Sequence, residues 1–317
     1  MPKAHQDLLG RMGSARSTIF DGIYVSANVG MRKPDLCFYN YVLEDIGLPS
    51  HAVVIVDDLQ ENVLAAQSLG IHGILFESHE ELCRRIQNLL GDPVARGLRP
   101  ARASLRENFS QLLIFEQMQN RGLVDLQSTD GIYGYFFGHQ ILTKDTLPRD
   151  LDTASMELTV CPVDKGLAQC VMDEMLSFVT ADGILMAYFD QTRPRVDPVA
   201  CVNILSLFHS YDRGNDVAAT FAWVLSVLQH KAYIGGTRYY ASADAFLYFL
   251  SRLASFIREK RCLDALVPLL KTRLAEQIGA DGDSLSLAMR VLACQRFGIS
   301  NQKYLATLEA NQSNDGG

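Results

Sequence analysis

Near residue 92 the chain changes texture, and that change decides what it can fold into. The run Asp92-Pro93-Val94-Ala95-Arg96-Gly97-Leu98-Arg99-Pro100 combines two prolines, a glycine and three charged side chains, the make-up of a linker. Before it, short apolar runs alternate with helical spacing. After it nearly every periodic segment reads as helix. A length of 317 residues suits about two domains, so the expected division is 1–95 and 96–317.

Residues 22–26, 52–58 and 71–76 are short apolar runs enriched in β-branched side chains, as buried strands are. Residues 35–46 and 61–69 carry helical spacing, the second closed by Gly70 where a C′ glycine belongs. Strand alternating with helix predicts a parallel α/β unit. Ligands of such sheets sit beyond the carboxyl ends of the strands, where Ser26, Asp57 and Asp58 fall.

Beyond the linker, apolar residues recur at i, i+3, i+4 over 109–119, 165–178, 197–209, 215–229, 242–257, 263–278 and 284–296. Several segments open on Asp, Asn or Ser as N-caps, and Pro198 suits a first helical position. Pro268 is expected to kink or shorten its helix. Helices of similar length with short connectors predict an all-α toroid or bundle.

A net charge of −7 with no long basic run argues against nucleic acid as a partner and for a small molecule. Seven cysteines lack C-x-x-C spacing and are expected to be reduced, mostly buried thiols. No leader pattern opens the chain, and no apolar run approaches the roughly 18 residues of a membrane span. The expectation is a soluble, cytoplasmic protein, with homo-oligomerisation left open.

Chemistry concentrates in Pro148-Arg149-Asp150-Leu151-Asp152-Thr153-Ala154-Ser155. Two carboxylates two residues apart at a helix start can raise one another's pKa, and partial burial raises it further. A carboxylic acid that stays protonated near neutral pH is what protonation of an alkene requires. The plainer reading is a helix cap, with Asp150 or Asp152 accepting backbone N–H groups.

Two resemblances bear on these alternatives. Residues 20–26, Gly30-Met31-Arg32-Lys33-Pro34-Asp35, Val54-Ile55-Val56-Asp57-Asp58-Leu59-Gln60-Glu61-Asn62 and 65–70 resemble the later part of a haloacid dehalogenase-like (HAD) hydrolase. The resemblance implies that Ser26 and Lys33 hold phosphoryl oxygens and that Asp57 and Asp58 ligate Mg²⁺, a hard cation that favours carboxylate oxygen. The family's first motif, a strand ending in Asp-x-Asp that supplies the nucleophile, has no match before Ser26. A partial HAD domain without phosphatase activity is the expectation.

Asp150-Leu151-Asp152-Thr153-Ala154, Asp182-Gly183-Ile184, residues 215–229, Gly236-Thr237-Arg238-Tyr239-Tyr240 and residues 244–248 resemble the β-domain of class II terpene cyclases. The whole chain is similar to HAD-like sesquiterpene synthases that form drimane skeletons from farnesyl diphosphate. The resemblance implies that Asp152 donates the proton, Asp150 supports it and Thr153 is a hydrogen-bond partner. Ala154 stands where the family has a second threonine.

A carbocation must be steered by aromatic faces, each worth about 0.5–2 kcal/mol, and kept from water. Tyr239, Tyr240 and Trp223 are the candidate aromatic binding residues. The diphosphate calls for Mg²⁺ or basic side chains; of Arg149, Lys165, Arg213, Lys231 and Arg238, Arg238 sits within a matched motif. The expected function is protonation-initiated cyclisation of farnesyl diphosphate to a bicyclic drimane-type diphosphate. The alternatives are a HAD-type phosphatase acting on prenyl or other phosphates, or an inactive binding module.

Overall fold

The computed structural model describes residues 24–78, 82, 107–126, 134–135 and 148–311. In the N-terminal part, β1 (Val54–Asp57) and β2 (His72–Leu75) pair in parallel, Val54 opposite His72 through Asp57 opposite Leu75. Helices α1 (Ser26–Val29) and α2 (Leu36–Ile46) precede β1, and α3 (Gln60–Ser68) makes the crossover to β2. Tyr39, Ala65, Ala66 and Ile71 form a small core between α2 and α3. Helix and strand approach closely at Gly73, where a Cβ would lie 2.7 Å from Val63 Cγ1.

One expected strand is corrected. Ser26 does not end a strand but opens α1 and is exposed, because Gly30 at φ +70° closes the turn with its N–H on the Ser26 carbonyl. Residues 22 and 23 and the linker at 92–100, with the boundary expected near 95, lie outside the described residues.

The remaining described residues are dominated by helices: α4 (Phe109–Met118), α5 (Leu151–Val160), α6 (Lys165–Met175), α7 (Pro198–Ser210), α8 (Ala218–Gln229), α9 (Ala243–Phe256), α10 (Lys260–Gln277), α11 (Ser284–Arg296) and α12 (Gln302–Asn311). Helix α7 is the axis of the packing. Every residue from Pro198 to His209 is buried, with α5, α8 and α9 packed against it. Helix α9, buried from Ala243 to Leu253, carries the core onward to α10 and α11. Asp150, Asp164, Asp197, Ser242 and Asp283 each cap a helix by accepting N–H groups of its first turn.

Pro198 occupies the first turn of α7 as expected, but Pro268 does not shorten α10, which runs for 18 residues through it. Pro268 lies on the exposed face, where the carbonyl it leaves free can meet water, while Leu266, Leu270 and Leu274 bury the opposite face. The helix expected over 215–229 begins instead with a 3₁₀ turn, Gly214–Val217. The polar helix α12 was not legible in the apolar pattern.

The N-terminal part is seated on α8. Trp223 Nε1 donates to Ser68 Oγ at 3.2 Å, His230 Nδ1 lies 2.9 Å from the Ser68 carbonyl, and Ser226 Oγ donates to that carbonyl as well. Asp182 Oδ2 accepts the Leu36 N–H at 2.8 Å. Among the described cysteines, Cys201 and Cys294 are buried, Cys170 is exposed and the others lie between, so the expectation of mostly buried thiols holds only for those two. Among the described residues no helix is long and apolar enough to cross a membrane.

Candidate active site

The acid motif is positioned by two elements that meet at its first residue. Asp150 forms an isolated antiparallel bridge with Tyr188, and Leu151 N–H donates to the Ala187 carbonyl at 2.9 Å. Asp150 Oδ1 then accepts the Thr153 N–H at 2.6 Å and starts α5. The capping reading of Asp150 therefore holds, and it is compatible with the acid reading because both carboxylates also line one cavity. That cavity, of about 610 Å³, is walled by Phe109, Leu113, Tyr135, Tyr188, Tyr239, Tyr240 and Met289, with Arg238, Asp283 and Ser286 as polar members.

Asp152 is held from both sides. Asn203 Nδ2 on α7 donates to Oδ1 at 2.7 Å, and Tyr240 Oη donates to Oδ2 at 2.5 Å. Burial, followed by the charge of Asp150, pushes the Asp152 carboxyl up to about 7 against the pull of these two donors. Burial likewise pushes Asp150 up to about 6, opposed by the N–H groups of Thr153 and Tyr135. Asp197, the buried cap of α7, is also raised by burial, and its charge adds to the field disfavouring ionisation of Asp152. Both carboxyls of the pair are thus pushed toward the acid form, chiefly by burial.

The aromatic wall is organised edge to face. Tyr240 packs against Phe109 and Phe249 with ring centroids 5.9 and 5.8 Å apart, and Tyr188 meets Tyr239 at 6.1 Å. The Tyr188 hydroxyl donates to that of Tyr239 at 3.0 Å. A tight turn delivers Arg238, Tyr239 and Tyr240 to this wall. Gly236 sits at φ +72°, a Cβ there would meet the Ala241 carbonyl oxygen at 2.6 Å, and Thr237 N–H closes the turn on the Tyr240 carbonyl at 2.7 Å.

Of the residues singled out in the sequence, Asp150, Asp152, Arg238, Tyr239 and Tyr240 converge on the cavity. Trp223 does not: it is buried against Ser68 and is corrected to a residue joining the N-terminal part to α8. Thr153 is fully buried and serves Asp150 through its backbone N–H. Ala154 is packed in the core, and Asn203 holds the acid from a different helix. Arg149 pairs with Glu174, Arg213 with Asp173 and Asp216, and Lys231 with Glu276, so these cations are engaged elsewhere.

Asn203 and Tyr135 escaped the sequence reading, Asp197 was legible only as a helix cap, and Tyr188 was one of several aromatic side chains expected as candidates for the pocket. Asn203 carried a signal, an amide inside the otherwise apolar run of α7, whose burial demands a partner.

In the N-terminal part, Lys33 Nζ pairs with Asp57 Oδ2, while Asp57 Oδ1 accepts the Leu59 N–H at 2.9 Å and Asn62 Nδ2 at 2.8 Å. Burial works to raise the Asp57 carboxyl, but Lys33, Asn62 and the Leu59 N–H hold it below its ordinary value. Asp58 and Ser26 are exposed. Among the described residues no group of three or more His, Cys, Asp or Glu could hold a metal ion. Asp57 thus accepts three donors, and Asp58 beside it is the exposed carboxylate of the pair that the HAD pattern assigns to Mg²⁺.

The family model described as the sesquiterpene cyclase astC-like C-terminal domain matches residues 100–211, and the haloacid dehalogenase-like hydrolase model matches residues 12–76. Drimenol cyclase drtB of Aspergillus calidoustus is 43% identical over 313 residues, 95% of this chain. Along almost its whole length the chain is similar to that cyclase. It spans 59% of drtB's length. Over 73 residues, 23% of the chain and 37% of the relative, it is 44% identical to the sesquiterpene phosphatase astK of Aspergillus oryzae. No solved structure matches. The joined resemblance drawn from the motifs, a partial HAD-like part followed by a cyclase-type part, is borne out.

Proposed function

We propose that this chain is a class II sesquiterpene cyclase that folds farnesyl diphosphate into a bicyclic drimane-type diphosphate. The observation that carries the reading is Asp152, a carboxylic acid raised to about 7 and clamped by Asn203 and Tyr240 on the wall of an aromatic cavity. A volume of about 610 Å³ falls within the range of roughly 300–1,000 Å³ usual for small-molecule pockets. The similarity to a drimenol cyclase supports the substrate class.

In this reading the Asp152 proton adds to the terminal carbon-carbon double bond, leaving a tertiary cation and an Asp152 carboxylate that the two donors stabilise. The remaining double bonds close the rings in turn, each cation facing tyrosine and phenylalanine rings. Loss of one proton to a base ends the sequence. The product is an isomer of the substrate with its carbon-oxygen bond to diphosphate intact.

Arg238 at the rim supplies a fixed positive charge for the diphosphate. Mg²⁺ would neutralise the remaining charge as a counter-ion, and no step of the cyclisation runs through Asp57 or Asp58. Incubation with farnesyl diphosphate, followed by mass spectrometry with and without added phosphatase, tests the proposal. A new cyclic product supports it, and recovery of only unchanged substrate overturns it.

A further inference from the structure

The turn that carries Arg238 and Tyr240 is docked on the N-terminal part at one point, the start of α3. Gln60 Nε2 donates to the Gly236 carbonyl at 3.3 Å. Beside it, the Glu61 carboxylate, only 10% exposed, is shared by two arginines of the helical part: Oε2 lies 3.4 Å from Arg238 Nη1 and Oε1 lies 3.4 Å from Arg195 Nη1. Arg195 belongs to the backbone that supports the cavity, since its carbonyl accepts the Ala187 N–H at 2.7 Å and the Ala187 carbonyl accepts Leu151 N–H next to Asp150. Glu61 therefore ties together the two backbone segments that deliver the cation and the acid motif.

Among the described residues, Glu61 is the one side chain that pairs with Arg238. The Arg238 side chain is 42% exposed, and a guanidinium on a flexible stem at a rim would otherwise sample many rotamers. Tyr188 and Tyr239 hold one another, and Tyr240 is held through Asp152. Arg238 is the member of the wall whose placement depends on a residue from outside the helical part.

Resting on the cyclase reading, we propose that Glu61 is a positioning residue for substrate binding: the HAD-like part serves the cyclisation site by presenting Arg238 to the diphosphate. Each of these half-exposed ion pairs is weak alone. Their effect is orientation, which reduces the entropy lost when the diphosphate engages the guanidinium.

The test measures binding by calorimetry in the Asp152→Asn background, which blocks turnover, with farnesyl diphosphate and with farnesol, which lacks the charged group. Glu61→Ala is expected to weaken farnesyl diphosphate binding about tenfold and farnesol less than about twofold, with Glu61→Gln between, because one acceptor oxygen remains. When Arg238→Ala is already present, Glu61→Ala should add less than about twofold. Equal loss for both ligands, or the full loss without Arg238, would show a merely structural role and overturn the proposal. Should Glu61→Ala fail to fold, Glu61→Gln with an unchanged melting temperature carries the same comparison. If the unmodified chain neither binds nor converts farnesyl diphosphate, the cyclase reading falls first; if it does both and Glu61 is silent, only this inference falls.

Discussion

Tyr240 donates its hydroxyl to Asp152 Oδ2 at 2.5 Å from a turn that also carries Arg238, two residues earlier. The acid and the cation for the diphosphate are thus set by one short backbone segment, 236–241, closed through Thr237 and Gly236. Because Tyr240 and Asn203 both donate to the carboxylate, they stabilise its ionised form and keep its pKa from rising further. Tyr240→Phe should raise the Asp152 pKa by about one unit, since hydrogen bonds to charged groups are worth roughly 1.5–3 kcal/mol. The high-pH limb of cyclisation should move up by that amount. An unmoved limb in both Tyr240→Phe and Asn203→Ala would dissociate these residues from the acid.

Asp152→Asn keeps the size of the side chain and removes the proton donor. Cyclisation should fall by at least about 10²-fold, the low end of what a positioned acid supplies, while farnesyl diphosphate still binds. Asp150→Asn should be milder, because an amide oxygen can still accept the Thr153 N–H that starts α5. Product formation at the normal rate by Asp152→Asn would end the assignment.

The pH dependence follows from the same pair. The reacting form is protonated Asp152, so activity should decline through about pH 7 and fall about tenfold per unit above it. Stability has the same sign. A carboxyl whose folded pKa is raised contributes stability that is complete below its unfolded value near 4 and lost as pH rises through about 7. The melting temperature of the unmodified chain should therefore drop between pH 5 and pH 8 by more than that of Asp152→Asn, where this contribution is gone.

What the sequence made legible was what local pattern encodes. The periodicity of 197–209 and 242–257 gave α7 and α9, and the caps Asp150, Asp197 and Ser242 stood where side-chain acceptors belong, whereas the helix expected from Ser284 is capped one residue earlier by Asp283. Asp152 and Tyr240 were each visible as motif residues, but their pairing spans 88 positions and depends on α5 and α9 both packing against α7, which no local spacing records. Trp223 was misplaced for a related reason. Helical spacing said it was buried, not whether the surface burying it was the cavity or the N-terminal part.

Arg290 and Asp244 form a second long-range pair behind the cavity wall. Nε and Nη2 of Arg290 each meet an Asp244 carboxylate oxygen at 2.8 Å, both side chains are nearly fully buried, and Nη1 donates to the Ala280 carbonyl at 2.5 Å. This clamp joins α9 to α11 and to the loop before it, and the start of α11, with its cap Asp283 and Ser286, lines the cavity. Arg290→Met should destabilise the fold by about 3–5 kcal/mol, because it leaves a buried carboxylate without its partner. Adding Asp244→Leu should recover much of that loss. Equilibrium denaturation of the single and double variants measures both, and a loss under about 1 kcal/mol for Arg290→Met would contradict a buried pair.

The final prediction concerns what leaves the cavity. Protonation at the alkene end breaks no bond to phosphate, so hydrolysis would have to come from the N-terminal part. There Asp57 is tied to Lys33, Asn62 and the Leu59 N–H, Asp58 and Ser26 are exposed, and no Asp-x-Asp stands before Ser26 in the 317 residues to attack phosphorus. The purified chain should therefore release a cyclic diphosphate, converted to alcohol only when a phosphatase is added. Asp57→Asn and Asp58→Asn should leave phosphate release from a model ester at background. Appearance of free cyclic alcohol without added phosphatase, lost in Asp57→Asn, would show that a residue of this chain acts as the missing nucleophile.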